Sequence, residues 1–192
     1  MNSSKFGVIG AHPTLLPVGR GRAAIPWTIL KGINKTGVSF FKLDEGVDTG
    51  DIIHQEIISV DKNENAKTLY EKVNLAHISG ISKVIEILDS GKLNLIKQDN
   101  ALSTYWPGRE TKDGEINLNE TIHIAEKLIR ATTKPYPGAF VIRGNKKTII
   151  WKARIVDSLS YGENNNYLFI NQLYALSNVI IHGDTSSFLL SG

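Results

Sequence analysis

Apolar positions along the chain follow two rhythms. From Ala66 to Gly91, the residues Leu69, Val73, Ala76, Gly80, Val84 and Ile87 recur at steps of three and four. That is the period of an amphipathic helix, and it predicts the longest helix of the chain, one that supplies core rather than chemistry. Upstream, Thr36 to Leu43 and Ile52 to Val60 are rich in Ile, Val and Phe and flank the acidic stretch Asp44 to Asp51, which reads as two strands joined by an acidic loop. Phe6 to Gly10 is a short apolar run without alternation, followed by Pro13; it predicts a strand buried on both faces of an open α/β sheet. Ala23 to Leu30 predicts a short helix with Pro26 in its first turn, Trp27, Ile29 and Leu30 as packing groups, and Gly32 as its stop.

After Gln98 the pattern loosens, until Ile122, Ala125 and Ile129 mark a second helix from Thr121 to Ala131. Beyond Pro135-Tyr-Pro-Gly138 the chain turns to short β runs at 139–142, 148–156, 168–170 and 178–181, separated by Gly and Asn. The expected organisation is an α/β part over 1–98, a linker with a docked helix over 99–138, and a small β module over 139–192.

Composition narrows the function classes. The 192 residues, 41% of them hydrophobic, suffice for one substantial core or a core with a small appendage. Twenty-two Lys and Arg against 19 Asp and Glu are interspersed, so no basic patch demands nucleic acid. The absence of cysteine excludes disulfides, a thiol nucleophile, thiolate zinc sites and iron–sulfur ligation. No apolar run approaches the roughly 20 residues that span a bilayer, and no signal-like segment opens the chain. A soluble, cytoplasmic protein without membrane partners is the expectation.

Of the five histidines, His12 follows the buried-strand signal, at the carboxyl end of a strand where open α/β sheets hold their ligands. A histidine there either faces a crevice or merely satisfies loop backbone groups. Asp48 lies in a glycine-flanked loop with Asp44, Glu45 and Asp51 close by, which reads either as a solvated acidic hairpin or as a site. Were Asp48 to reach His12 across the sheet, the two would form a general acid–base pair without a metal. Gly19-Arg-Gly-Arg22 fits an anion-binding turn or a structural loop. His54, His77, His123 and His182 read as structural, and Trp106, Tyr136 and Trp151 as local packing. GxxxxGK[ST], HExxH and GxSxG are all missing from the sequence, which removes support for phosphate-binding-loop, zincin and hydrolase-elbow readings.

His12-Pro-Thr-Leu-Leu-Pro17, Arg20-Gly21, Thr36-Gly-Val38 and Glu45-Gly-Val-Asp-Thr-Gly-Asp51 follow one another in an order and spacing that resembles the folate-dependent formyltransferases, of methionyl-tRNA and amino-sugar type. The resemblance continues through Asp113 to Ile116, Ile129 to Ala131 and Pro135 to Phe140, and more weakly to Trp151–Ala153 and His182–Asp184. It implies the carboxyl half of a Rossmann-like catalytic domain followed by a small β module of OB-like type. It also implies 10-formyltetrahydrofolate as formyl donor, a primary amine of a small molecule or of methionyl-tRNA as acceptor, and no metal. By the same resemblance His12 stabilises or protonates the tetrahedral oxyanion, Asp48 holds His12 and helps deprotonate the amine, and the backbone of Glu45, Gly46 and Val47 lines the pterin pocket.

The sequence departs from that family in two places. Gly10 stands where the family usually has an asparagine donor to the oxyanion, and only five residues precede Phe6 where the family has further βα units. The second departure leads to the expectation of an exposed sheet edge, association through it, and weak catalysis by the chain alone. It also keeps open a non-catalytic remnant that binds folate or a partner. Arg143, Lys146, Lys147, Lys152 and Arg154 serve phosphate contacts or form a solvated strand face.

Overall fold

A computed structural model describes residues 7–156, 167–170, 179–182 and 188–190. The chain divides into two compact units, Met1–Glu64 with Thr68–Arg109, and Asn65–Lys67 with Glu110–Gly192.

In the first unit the strands β1 (Ile9–His12), β3 (Lys35–Lys42) and β4 (Ile52–Ser59) form an antiparallel sheet in the order β1-β3-β4. The two-residue strand β2 (Arg20–Gly21) and helix α1 (Ala24–Leu30) lie between β1 and β3 in sequence. Central β3 is buried over six consecutive residues, Thr36 to Phe41, because a neighbour on each edge and packing on both faces leave it no solvent side. Its register sets His12 opposite Ser39 and Gly10 opposite Phe41.

The first strand departs from the expectation. It begins at Ile9 rather than Phe6 and is not buried on both faces, since Ala11 is exposed and the preceding Val8 is 45% exposed. The apolar run holds two glycines with no side chain to bury, so little drives both faces inward. Among the described residues only β3 pairs with it.

Helix α2 (Ala66–Asp89) buries one stripe, Ala66, Leu69, Val73, Ala76 and Val84, and leaves Leu75, Ile78, Ile81 and Ile85 exposed. It docks on β3 and β4 at Gly80, where a Cβ would lie 2.2 Å from the Phe40 ring. Around that crossing the His77 ring meets Phe40 edge-on and Ser79 donates to Glu56. The His54 hydrogen bond to Glu56, 3.0 Å long, is the main cause that holds this carboxyl below its usual range. Lys72 on α2 pairs with Asp61 at 2.7 Å and with Glu64, and these bonds raise its pKa. Among the described residues no helix is long and apolar enough to cross a membrane. After α2, strand β5 (Tyr105–Trp106) pairs in parallel with β2.

The second unit holds α3 (Ile122–Thr132), the hairpin β6 (Ala139–Arg143) and β7 (Lys146–Ile150), and the strands β8 (Ala153–Val156), β9 (Tyr167–Ile170), β10 (Val179–His182) and β11 (Phe188–Leu190). The last four form an antiparallel meander in sequence order. Ile122, Ala125 and Ile129 of α3 meet Ile116, Ala139, Val141 and Ile150 in one apolar cluster. The run 148–156, expected as one strand, divides at Trp151–Lys152 because its halves enter different sheets, Ile150 pairing with Ala139 and Ala153 with Ile170.

The α2 crossing yields a signed prediction. Helix propensity alone makes Gly80→Ala a gain of about 0.8–1.0 kcal/mol. The contact with buried Phe40 outweighs it, since overpacking costs about 1–3 kcal/mol. Urea denaturation should show a lower midpoint for Gly80→Ala, and a raised midpoint would refute the close crossing.

Candidate active site

His12 ends β1 and is 7% exposed. Its Nε2 lies 2.8 Å from the Gly19 carbonyl. A carbonyl only accepts, so this contact places the proton on Nε2 and turns Nδ1 toward the acidic loop. Nδ1 stands 3.5 Å from Asp48 Oδ2.

The Pro13–Gly19 turn that supplies this carbonyl is fastened by the side chains of Ser39, Gln55 and Thr104. Ser39 on β3 accepts from the Leu16 N–H at 3.0 Å and donates to the Thr14 carbonyl at 2.7 Å. Gln55 on β4 donates to Ser39 at 2.7 Å and to the Leu16 carbonyl at 3.0 Å. The Gly19 N–H donates to Thr104 Oγ1 at 2.8 Å. With its backbone groups satisfied internally, the turn holds the imidazole in one orientation.

Asp48 sits in the β3–β4 loop with φ of 56°, a left-handed conformation that non-glycine residues seldom adopt and that surrounding contacts must hold. Its Oδ2 accepts the Gly21 N–H at 2.8 Å. Gly21 is required where it stands: its φ is 104°, and a Cβ would lie 2.4 Å from the Trp106 carbonyl. Asp44 shapes the same loop from within, its Oδ1 accepting from the Gly46 N–H at 3.0 Å and from Thr49 Oγ1 at 2.6 Å. Glu45, Gly46 and Val47 are exposed, Val47 to 60%.

The anion-binding reading of Gly19-Arg-Gly-Arg22 is corrected at Arg20. This side chain is 1% exposed, and its donors are all directed into the protein. Nε and Nη2 reach Gln98 Oε1 at 3.1 and 2.8 Å, Nη2 also reaches Asn100 Oδ1 at 2.9 Å, and Nη1 reaches Tyr105 Oη at 3.1 Å. Four of the five guanidinium N–H donors are so engaged, and a side chain buried to this degree is closed to a ligand. The Gln98 amide in turn donates to the backbone carbonyls of Asp48 at 2.9 Å and Gly50 at 2.7 Å.

The structure therefore brings His12, Asp48 and Gly21 together and leaves Glu45 to Val47 on the exposed rim of the loop. Sequence reasoning passed over Gln98, Ser39, Gln55 and Thr104, which fall in no motif and were legible only as polar residues beside apolar runs. Of the other histidines, His54 is engaged by Glu56 and His77 by the Val73 carbonyl at 2.8 Å, while His123 is exposed on α3. The His182 side chain lies outside the described residues. Among the described residues, no group of three or more His, Cys, Asp or Glu is placed to hold a metal ion.

A fixed imidazole beside a carboxylate, on a strand end and an adjoining acidic loop, is an acid–base arrangement. Comparison with known proteins places it in a family. The formyl transferase model matches residues 1–85 and the model of the formyl transferase C-terminal domain matches residues 109–185, so the chain belongs to the formyl transferase family. It is 33% identical over 160 residues to a methionyl-tRNA formyltransferase of Lachnospira eligens, an alignment covering 83% of this chain and 50% of the relative. It is 35% identical over 151 residues to the bifunctional polymyxin resistance protein ArnA of Wigglesworthia glossinidia brevipalpis, covering 79% of this chain and 23% of that protein. A solved 4-N formyltransferase from Francisella tularensis superposes with a TM-score of 0.65 at 31% identity, over 74% of this chain and 60% of that one. The chain thus spans half the length or less of these curated relatives.

Gly10 lies on the same face of β1 as His12, two residues away, as strand alternation dictates. Phe41 and Leu43 occupy the space that a side chain would take, a Cβ falling 2.6 Å from Leu43 Cδ2 and 3.1 Å from Phe41 Cζ. Leu43 is 37% exposed and can swing aside, whereas Phe41 is buried. Gly10→Asn should therefore destabilise by about 1–3 kcal/mol, the usual cost of overpacking. Introducing Leu43→Ala beside it should recover part of that loss, as contacting sites are non-additive. Denaturant titration of the two single variants and the double variant checks this; equal loss in both backgrounds would refute it.

Proposed function

We propose that the chain acts in transfer of a formyl group from 10-formyltetrahydrofolate to a primary amine. The observation that carries this reading is the His12–Asp48 pair, with Nε2 tied to Gly19 and Nδ1 facing the carboxylate at 3.5 Å. As the amine attacks the formyl carbon, negative charge grows on the formyl oxygen and positive charge on the amine nitrogen. With its Nε2–H held by the Gly19 carbonyl, His12 gives a proton from Nδ1 to that oxygen as the imidazolium and takes it back as the intermediate collapses to the formamide, while Asp48 draws the proton from the amine. The new C–N bond forms, the bond from the formyl carbon to the folate nitrogen breaks, and the amine's proton ends on that nitrogen.

Exposed backbone at Glu45, Gly46 and Val47 lines the pterin pocket in this reading. The acceptor is the amine of an amino-sugar nucleotide or of methionyl-tRNA. The 4-N formyltransferase and the methionyl-tRNA formyltransferase among its relatives support one each. Lys146, Lys147 and Lys152 are exposed in the second unit, which suits phosphate contacts with either acceptor. Copies of the chain associate through the edge of β1 that no described strand pairs with, where Val8 is exposed, because an unpaired strand edge is a template for pairing.

Release of tetrahydrofolate in the presence of each acceptor tests the reaction. His12→Ala and Asp48→Asn should each slow it at least about a hundredfold, as positioned acid–base groups contribute roughly 10²- to 10⁴-fold. A wild-type rate no higher than that of His12→Ala would overturn the assignment. Light scattering tests the edge: Val8→Lys should reduce association, and equal association in both proteins would place the contact elsewhere.

A further inference from the structure

Gln98 belongs to no motif and touches no reacting group, yet its side chain joins the buried Arg20 to the acidic loop. It is 5% exposed. Its two ends do opposite work: Oε1 accepts two hydrogen bonds from Arg20, and Nε2 donates two to the carbonyls of Asp48 and Gly50. Three facts make the arrangement directional. Arg20 is fully buried and has no carboxylate partner among the described residues, so its charge rests on amide and phenol oxygens. Charge-assisted bonds at Oε1 polarise the amide and strengthen its N–H donors. Those donors grip the loop at the carbonyls of Asp48 and Gly50, directly after the left-handed φ of 56° at Asp48.

We propose that Gln98 is a positioning residue: with Arg20 behind it, it fixes the backbone of Asp48 and thereby the distance of that carboxylate from His12 and from the Gly21 N–H. The catalytic part of this proposal rests on the formyl-transfer reading; the positioning part does not.

Gln98→Glu separates the two ends of the side chain. A carboxylate keeps the acceptor for Arg20 but removes both donors and sets an oxygen against two carbonyl oxygens. The carboxylate's pairing with Arg20 and its repulsion from the two carbonyls act oppositely on global stability, so the decisive readout is local. The Gly21 amide, which donates to Asp48 Oδ2 at 2.8 Å, should shift upfield in ¹⁵N-resolved spectra and exchange with solvent at least tenfold faster. Turnover should fall at least tenfold, and the loss should be non-additive: Gln98→Glu with Asp48→Asn should be no slower than Asp48→Asn alone. Asn100→Ala is the control, because it removes one acceptor from Arg20 without touching the loop; it should lower thermal stability and leave the Gly21 amide in place. Should Gln98→Glu fail to fold, Gln98→Met keeps the volume and carries the same amide measurement.

An unmoved Gly21 amide in the Gln98 variant would overturn the proposal, as would an equal displacement in Asn100→Ala. The amide is read without substrate, so it decides the positioning claim even where wild-type protein releases no tetrahydrofolate, an outcome that would sink the formyl-transfer reading alone.

Discussion

A guanidinium buried with no carboxylate partner among the described residues is the constraint around which the first unit is arranged. Withdrawing Arg20 from water costs several kcal/mol unless the protein replaces its hydration, and the four hydrogen bonds it donates to Gln98, Asn100 and Tyr105 do so. Those acceptors lie about eighty positions further along the chain, so satisfying one cation draws the 98–105 segment against β2. The parallel β2–β5 pairing follows from this neighbourhood, with the Arg20 N–H donating to Thr104 and the Arg22 N–H to Trp106. Gly21 is then the residue that the approach of Trp106 permits, and its N–H is left directed at Asp48.

The regular elements were legible because each carries a long enough period. The strands expected at 36–43 and 52–60 appear as Lys35–Lys42 and Ile52–Ser59, and the helices expected from Ala66 and from Thr121 appear as Ala66–Asp89 and Ile122–Thr132. Hydrophobic burial acts locally on such patterns, and neighbours need not be known to read them. Where period gave out, so did the reading. β2 and β5 are two residues each, too short for any alternation, and they exist because of the Arg20 contacts. The first strand read as buried from its apolar letters, whereas its glycines and its single described neighbour leave Val8 and Ala11 outside.

For the site, residue types were legible and geometry was not. His12 and Asp48 drew attention by their places at a strand end and in a glycine-flanked loop, but the 27 positions that separate Gly21 from Asp48 give no hint that one donates to the other. Arg20 shows the opposite failure. A glycine-flanked arginine pair is indistinguishable in sequence from an anion cradle, and only burial tells that its donors are already engaged. Gln98 was invisible because its role lies in linking two groups that are distant in the chain.

His12 and Asp48 are held by different means. His12 is fixed from behind by strand pairing to Ser39 and by a turn whose Thr14 and Leu16 backbone groups bond to Ser39 and Gln55. Asp48 belongs to a loop whose tip is exposed and whose backbone is left-handed at that residue, so its position depends on hydrogen bonds from Gly21 and Gln98 rather than on packing. Their separation of 3.5 Å exceeds the range of about 2.7–3.2 Å for an N–H···O bond, and contacts of this kind commonly shorten when a reacting group is bound. Any such shortening has to come from the loop, since moving the imidazole would break the sheet register and the turn together. The carboxylate is the adjustable partner, and in the proposed reading the Gln98 amide restrains it by holding the loop backbone at the carbonyls of Asp48 and Gly50.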